Sequence, residues 1–270
     1  MRVRRKRRKR KSGCGTFFSL VIITGLLVYG IVHFNVRFDA VPVFNNIYSD
    51  SADEKIAAFA ASNNLQLDAW PDELIALLEK NPDAEKFVLD YPLKKDLEYS
   101  INLDEYENAD DVPLLFQWDE RWGYSQYSGE MMGLSGCGPT CLSMVSIYLL
   151  NDSKYSPKYI AEFAENNGYS VAGSGSAWTL ISEGGKELGM DVVEIPLDES
   201  RIKKNLDVGN PIICVLGPGD FTDTGHFIVL TEYRDGKIKV NDPNSKIRSE
   251  KLWSFDDLEG QIRNLWVLRK

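Results

Sequence analysis

Gly136-Cys137-Gly138-Pro139-Thr140-Cys141-Leu142-Ser143-Met144-Val145-Ser146-Ile147-Tyr148-Leu149-Leu150 changes character partway along. Pro139 suits the first turn of a helix, where no backbone donor is needed, and the uncharged run behind it reads as a buried central helix. Cys137 therefore falls at a helix N-terminus, where unpaired amides and the helix dipole stabilise a thiolate. Glycines on both sides leave room for a substrate backbone. The competing reading is an inert buried cysteine, but glycines offer nothing to pack around Cys137. Cys141, one turn on and followed by Leu142, fits that description better.

Two further stretches supply the groups such a thiol needs. Gly225-His226-Phe227-Ile228-Val229-Leu230-Thr231 reads as a strand beginning at His226, and Lys237-Ile238-Lys239-Val240-Asn241-Asp242-Pro243-Asn244 as a strand ending in an Asp-Pro turn. A hairpin joining them near Arg234–Gly236 sets the start of the first beside the end of the second, which brings His226 and Asp242 together. The sequence holds two histidines, and the other, His33, sits in an apolar run near the N-terminus. A helix-start thiol, one imidazole and a carboxylate that fixes its tautomer form an acyl-transfer set. A zinc site using Cys137, Cys141, Cys214 and His226 is the metal alternative, but its scattered spacing departs from structural zinc patterns. A Cys141–Cys214 disulfide stays open on sequence alone. No motif for an organic cofactor is present.

Helical periods dominate from Cys137 to about Gly189, and β-rich runs come later at Pro211–Leu216, His226–Tyr233, Lys237–Val240 and Leu265–Leu268, which predicts an α+β domain over residues 112–270. Upstream, Asp53–Asn63 places Ile56, Phe59 and Ala60 on one face, and Pro71–Lys80 buries Leu74, Leu77 and Leu78. A third piece, Asp83–Leu89, is expected to stop before Tyr91-Pro92. Residues 96–111 carry seven acids and no base and read as a solvated connector closing a helical extension over 53–111.

Residues 1–11 contain nine Lys and Arg and no acid, so the rest of the chain carries 22 bases against 40 acids. A body that acidic repels polyanions, and nucleic acid is not expected as a partner. Residues 12–36 hold no Asp, Glu, Lys or Arg, and they read as a transmembrane signal-anchor with a cytoplasmic basic N-terminus, leading into a linker over 37–52. The expectation is a single-pass membrane protein, held in the lipid bilayer by that helix, with its catalytic domain outside. A cleaved signal is the rival, but no small-residue cleavage site ends the apolar run.

GCGPTCLSMV, GHFIVLTEY and VNDPN, in that order, resemble the C39-like branch of the papain-like cysteine peptidases over about Val112–Lys270. The resemblance implies a papain-like fold, with the Cys137 helix packed on an antiparallel sheet. It implies Cys137 as nucleophile, His226 as general base and acid, and Asp242 as orienter. Bacteriocin-processing relatives place an oxyanion-hole Gln shortly before the cysteine, where this chain has Met131. The equivalent assigned here is Gln117, in Val112-Pro113-Leu114-Leu115-Phe116-Gln117-Trp118, with Gln126 as the alternative. Those transporters also carry an ATPase domain, and no G-x-x-x-x-G-K-[ST] occurs here, so leader-peptide export is not expected. The extension resembles helical segments preceding some such domains; a packed collar, a spacer, a substrate-recruiting module and an inhibitory prosegment are the candidate roles. The functional expectation is an extracytoplasmic cysteine peptidase acting on peptides or proteins. Its alternatives are a cell-wall peptide amidase, endopeptidase or transferase, and a non-catalytic peptide-binding domain.

Overall fold

The computed structural model describes residues 51–270. Three helices open this part: α1 Ala52–Asn63, α2 Asp72–Lys80 and α3 Glu85–Lys94. Ser51 and Glu54 cap α1 reciprocally, and Pro71 stands at the N-cap of α2 rather than inside it. Ile56 and Ala60 of α1 pack with Leu74 and Leu78 of α2 and with Phe87 and Val88 of α3. The third helix does not stop before Pro92 but continues through it to Lys94. The reason is a substitute donor: the proline leaves the Val88 carbonyl without its helical partner, and the indole Nε1–H of Trp70 donates to that carbonyl at 2.8 Å. Trp118, Tyr124, Met131 and Leu134 pack against the same cluster and join the three helices to the α+β domain.

The acidic connector is not simply solvated. Leu103 is buried in the main core, and Asp104 and Glu107 accept hydrogen bonds from the hydroxyl and amide of Ser153 at 2.8 and 2.9 Å. The carboxylates thus serve as acceptors for the turn beyond the central helix.

The described residues contain ten strands. β1 Gln126–Tyr127 pairs with β2 Glu130–Met131, and β3 Ser170–Val171 pairs with β4 Gly175–Ser176. The main sheet contains β5 Asp191–Glu194, β6 Ile212–Leu216, β7 His226–Arg234, β8 Lys237–Asn241, β9 Leu252–Trp253 and β10 Ile262–Arg269. Its spatial order is β5-β10-β6-β7-β8-β9, and every pairing is antiparallel. The helices that accompany these strands include α4 Met132–Ser135, α5 Cys137–Leu150, α6 Pro157–Asn166, α7 Glu199–Leu206, α8 Lys246–Glu250 and α9 Phe255–Glu259, and a short helical stretch, Leu180–Gly184 running into Gly185–Glu187, precedes β5. The chain is therefore α+β, with the helix that starts at Cys137 packed on an antiparallel sheet.

Side-chain alternation explains why the central strands read as unbroken apolar runs. Ile213 and Val215 of β6, Phe227 and Val229 of β7 and Trp266 and Leu268 of β10 face the core under α5. Their neighbours Cys214, Leu216, Ile228, Leu230, Leu265 and Val267 face a second core closed by Ile202 and Leu206 of α7. Both sheet faces are covered, so neither can be polar. Ten of the fourteen residues of α5 are buried, as its uncharged sequence requires.

The expected placement at a membrane is corrected. Among the described residues no helix is long and apolar enough to cross a membrane. The longest, α5, has fourteen residues, about 21 Å against the roughly 30 Å of a hydrocarbon core, and it is spent inside the protein. The basic block 1–11, the apolar run 12–36 and the linker up to residue 50 lie outside the described residues.

Candidate active site

The β7–β8 hairpin turns at Asp235-Gly236, both at positive φ, and pairs Arg234 with Lys237. Such a two-residue turn matches strand twist and needs a residue such as glycine that tolerates this conformation. A register shift between Leu230 and Glu232 brings Asn241 opposite Val229, so Asp242 lies just beyond the ladder and beside the start of β7. There His226 and Asp242 meet. Asp242 is fully buried and accepts at Oδ1 from His226 Nε2 at 2.8 Å. An ionised carboxylate can only accept, so Nε2 carries the proton and Nδ1 is left for the thiol.

Cys137 is the first residue of α5 and is partly exposed. The His226 ring and the backbone amides of Phe227 and Gly138 stand close enough to its sulfur to favour the thiolate. Burial alone would raise the Cys137 thiol, but His226 and these amides outweigh it and hold the thiol below its ordinary value. Burial alone would lower His226; the Asp242 carboxylate and the Cys137 sulfur more than offset it and push the imidazole up to about 10. The two shifts are one interaction seen from both partners, and they favour a thiolate–imidazolium pair at neutral pH. Cys141, fully buried one turn on, is driven the other way by burial.

Gly138 is required by its neighbour: a Cβ there would collide with the Ser176 side chain of β4. Ser176 is held by the hydroxyl of buried Tyr127 at 2.6 Å, which fixes the β3–β4 ribbon against the start of α5.

Gln117 is buried in the segment before β1, with its Nε2 donating to the carbonyls of Gly133 at 2.9 Å and Leu134 at 3.2 Å in α4. Its backbone amide donates to the Pro243 carbonyl at 2.8 Å, next to Asp242. The structure thus seats Gln117 between the two stretches of chain that lead to Cys137 and follow Asp242, with its side-chain amide engaged by α4. Gln126 lies exposed on β1, opposite Met131.

Cys141 and Cys214 are both buried free thiols. Among the described residues no group of three or more His, Cys, Asp or Glu side chains is arranged to hold a metal ion.

Arg248 is the site residue that sequence reasoning missed. From α8 its Nε donates to Asp242 Oδ2 at 2.5 Å, while the Asn244 amide donates to Oδ1 at 2.8 Å and the Asp242 amide to Ser249 Oγ at 2.9 Å. Burial alone would raise Asp242; His226 and Arg248 outweigh it and hold the carboxyl below its ordinary value. An Arg inside a short exposed-looking run, Lys246–Glu250, carries no periodic signal that would have marked it.

A helix that starts at Cys137 and a hairpin that joins His226 to Asp242 give this molecule a cysteine, a histidine and an aspartate gathered on an α+β frame. Residues 109–270 match the Peptidase_C39 like family, and the chain belongs to that family of cysteine peptidases. Solved structures similar in part include the peptidase domain of Streptococcus ComA, a bi-functional ABC transporter involved in a quorum-sensing pathway. Identity is 21%, over 50% of this chain and 91% of that one, with a TM-score of 0.39. The Streptococcus mutans ComA peptidase domain, in complex with a small-molecule inhibitor, is 16% identical over 50% and 93%, with a TM-score of 0.35. A protein from Bacillus anthracis described as a C39-like peptidase is 15% identical over 64% and 98%, also with a TM-score of 0.35. No curated protein sequence matches the chain.

Proposed function

We propose that the chain is a cysteine peptidase that hydrolyses peptide bonds through a Cys137–His226–Asp242 triad and an acyl-enzyme. The observation that carries this reading is the buried 2.8 Å His226–Asp242 hydrogen bond beside a partly exposed helix-start thiol, and the lowering of that thiol by His226 agrees with it. The Cys137 thiolate attacks the substrate carbonyl, and His226 gives its proton to the leaving amine. His226 then takes a proton from water, whose oxygen attacks the thioester and returns the sulfur as thiolate. Asp242 keeps the ring oriented, and the backbone N–H of Cys137 stabilises the oxyanion. Gln117 joins it when one Nε2–H leaves the Leu134 carbonyl, the longer of its two bonds. The substrate class is a peptide or protein in extended form.

The test is alkylation of each cysteine of the full chain by iodoacetamide against pH, read by mass spectrometry, alongside cleavage of a mixed peptide library. An unperturbed thiol titrates near about pH 8.5. Cys137 alone is expected to react rapidly at pH 5–6, to lose that reactivity in His226→Ala, and to be required for new peptide termini. An ordinary titration at Cys137 removes the enzyme reading. Acid-shifted reactivity without cleavage leaves a peptide-binding domain, and aminolysis in place of hydrolysis makes it a transferase.

A further inference from the structure

The helical segment 51–108 lies outside the family match, which begins at residue 109, yet it bonds to the turn that follows Asp242. Asn81, buried at the end of α2, donates from Nδ2 to the Asn244 carbonyl and, at 3.2 Å, to Asn244 Oδ1. Asp83 Oδ2 accepts from Ser245 Oγ at 3.1 Å, from the Lys246 amide at 2.8 Å and from the Ile247 amide at 3.2 Å. Those amides open α8, where a helix has no internal acceptors for them. The helix has five residues, too few to be stable alone, so its position depends on the groups that cap it from outside. Arg248 stands on that helix and donates to Asp242, which in turn accepts from His226.

We propose that Asp83, seconded by Asn81, is a positioning residue for the peptidase reaction: it anchors the 243–247 turn and α8 so that Arg248 and Asp242 keep His226 aimed at Cys137. This inference rests on the reading of Cys137, His226 and Asp242 as the working triad. It makes the helical segment part of the active centre rather than a spacer. Asp242 is fully buried and has no solvent to replace a lost partner, so a loosened α8 acts directly on the imidazole. The two residues are expected to differ kinetically. Asn81 also lines a cleft of about 420 Å³ that runs past Thr224, Asn244 and Arg248, so its removal changes the wall of that cleft as well as the turn. Asp83 does not line that cleft; its removal should lower kcat while KM holds.

Four forms of the full chain test this: the parent, Asp83→Ala, Asp83→Asn and Lys55→Ala. Lys55→Ala breaks the 2.5 Å Lys55–Glu85 ion pair, which weakens the same helical segment without touching α8. Alkylation of Cys137 is monitored at pH 5.5 and pH 9. Asp83→Ala is expected to slow the reaction at pH 5.5 by about tenfold for each unit by which the thiol rises, with little change at pH 9. Asp83→Asn keeps an acceptor and should recover most of the rate, and Lys55→Ala should match the parent. Parent-like alkylation in Asp83→Ala overturns the proposal, as does an equal loss in Lys55→Ala, which would mean that general loosening is the cause. If Asp83→Ala fails to fold, Asn81→Ala and Asp83→Asn decide: a smaller shift in the same direction supports the proposal, and none in either overturns it. A parent chain without acid-shifted reactivity fails differently, by removing the triad reading and this inference with it.

Discussion

The site has two walls, and they are made differently. The thiol wall is the start of α5, where glycine, cysteine, proline and an apolar run lie within fifteen consecutive residues. The carboxylate wall is the end of the β7–β8 hairpin with α8, and it is held by Asn81 and Asp83 from more than 160 residues earlier. Placing a thiol at a helix start is thus a local property of the chain. Holding an ionised carboxylate behind its imidazole is not, because a buried charge needs partners from whatever packs around it. The contrast sharpens within the thiol wall itself: Cys137 is drawn down by His226, while Cys141, one turn further in, is pushed up by burial.

The largest effect should separate those two cysteines. Cys137→Ser removes the thiolate paired with the imidazolium and is expected to lower the rate of peptide hydrolysis by about 10⁶, leaving thermal stability near that of the parent. Cys141→Ser should do the reverse. It keeps the chemistry but places a hydroxyl where nothing bonds it, at a cost of about 1–3 kcal/mol in chemical denaturation. If both variants lose activity alike, the difference between the two positions along α5 is not what governs reactivity.

Asp242→Asn tests the carboxylate wall and should cost about 10²–10⁴ in kcat. Its signature is in the pH profile. The parent should lose activity in acid as Cys137 takes up a proton, and in base as His226 gives one up at about pH 10. A group whose folded pKa is raised in this way stabilises the fold fully below its unfolded value near 6.5, and that stabilisation is lost as the pH rises through about 10. Without the carboxylate, burial draws the imidazole down and its charge no longer holds the thiolate. The alkaline limb should move toward neutrality and the acid limb should rise, narrowing the bell from both sides. A profile that only falls in height would show that Asp242 acts through packing.

Legibility in the sequence divides along the same line. The α+β class, the apolar strands, the start of α5 and the His226–Asp242 juxtaposition could be read because each rests on a short pattern: proline at a helix start, period-two burial, a glycine turn. Strand ends moved by a few residues, as β10 shows by running from Ile262 to Arg269. The third helix outran its expected end because Trp70, 18 residues before Val88 in the chain, supplies the donor that Pro92 forfeits. Arg248, Asn81 and Asp83 were invisible for a related reason. Each is a polar residue on a short segment whose role exists only once the hairpin end and the helical extension are side by side.

Gln117 belongs to neither wall, and its removal is expected to cost less than the removal of Cys137 or Asp242. Its backbone amide is tied to Pro243 on the carboxylate side and its side chain to Gly133 and Leu134 on the thiol side. Its Oε1 is buried without a partner, so the side chain has one unsatisfied group and two α4 carbonyls competing for its donors. As an oxyanion donor it acts only when charge develops on the substrate, so Gln117→Ala should lower kcat by about 10²–10³ with KM and the pH limbs in place. As a staple between the walls it would instead disturb the thiol–imidazole geometry. The acid limb of Cys137 alkylation, measured without any substrate, would then rise as it does in Asp242→Asn. Alkylation therefore separates the two roles: an unchanged profile with a fallen kcat assigns Gln117 to the oxyanion, whereas a shifted profile assigns it to the joint between the walls.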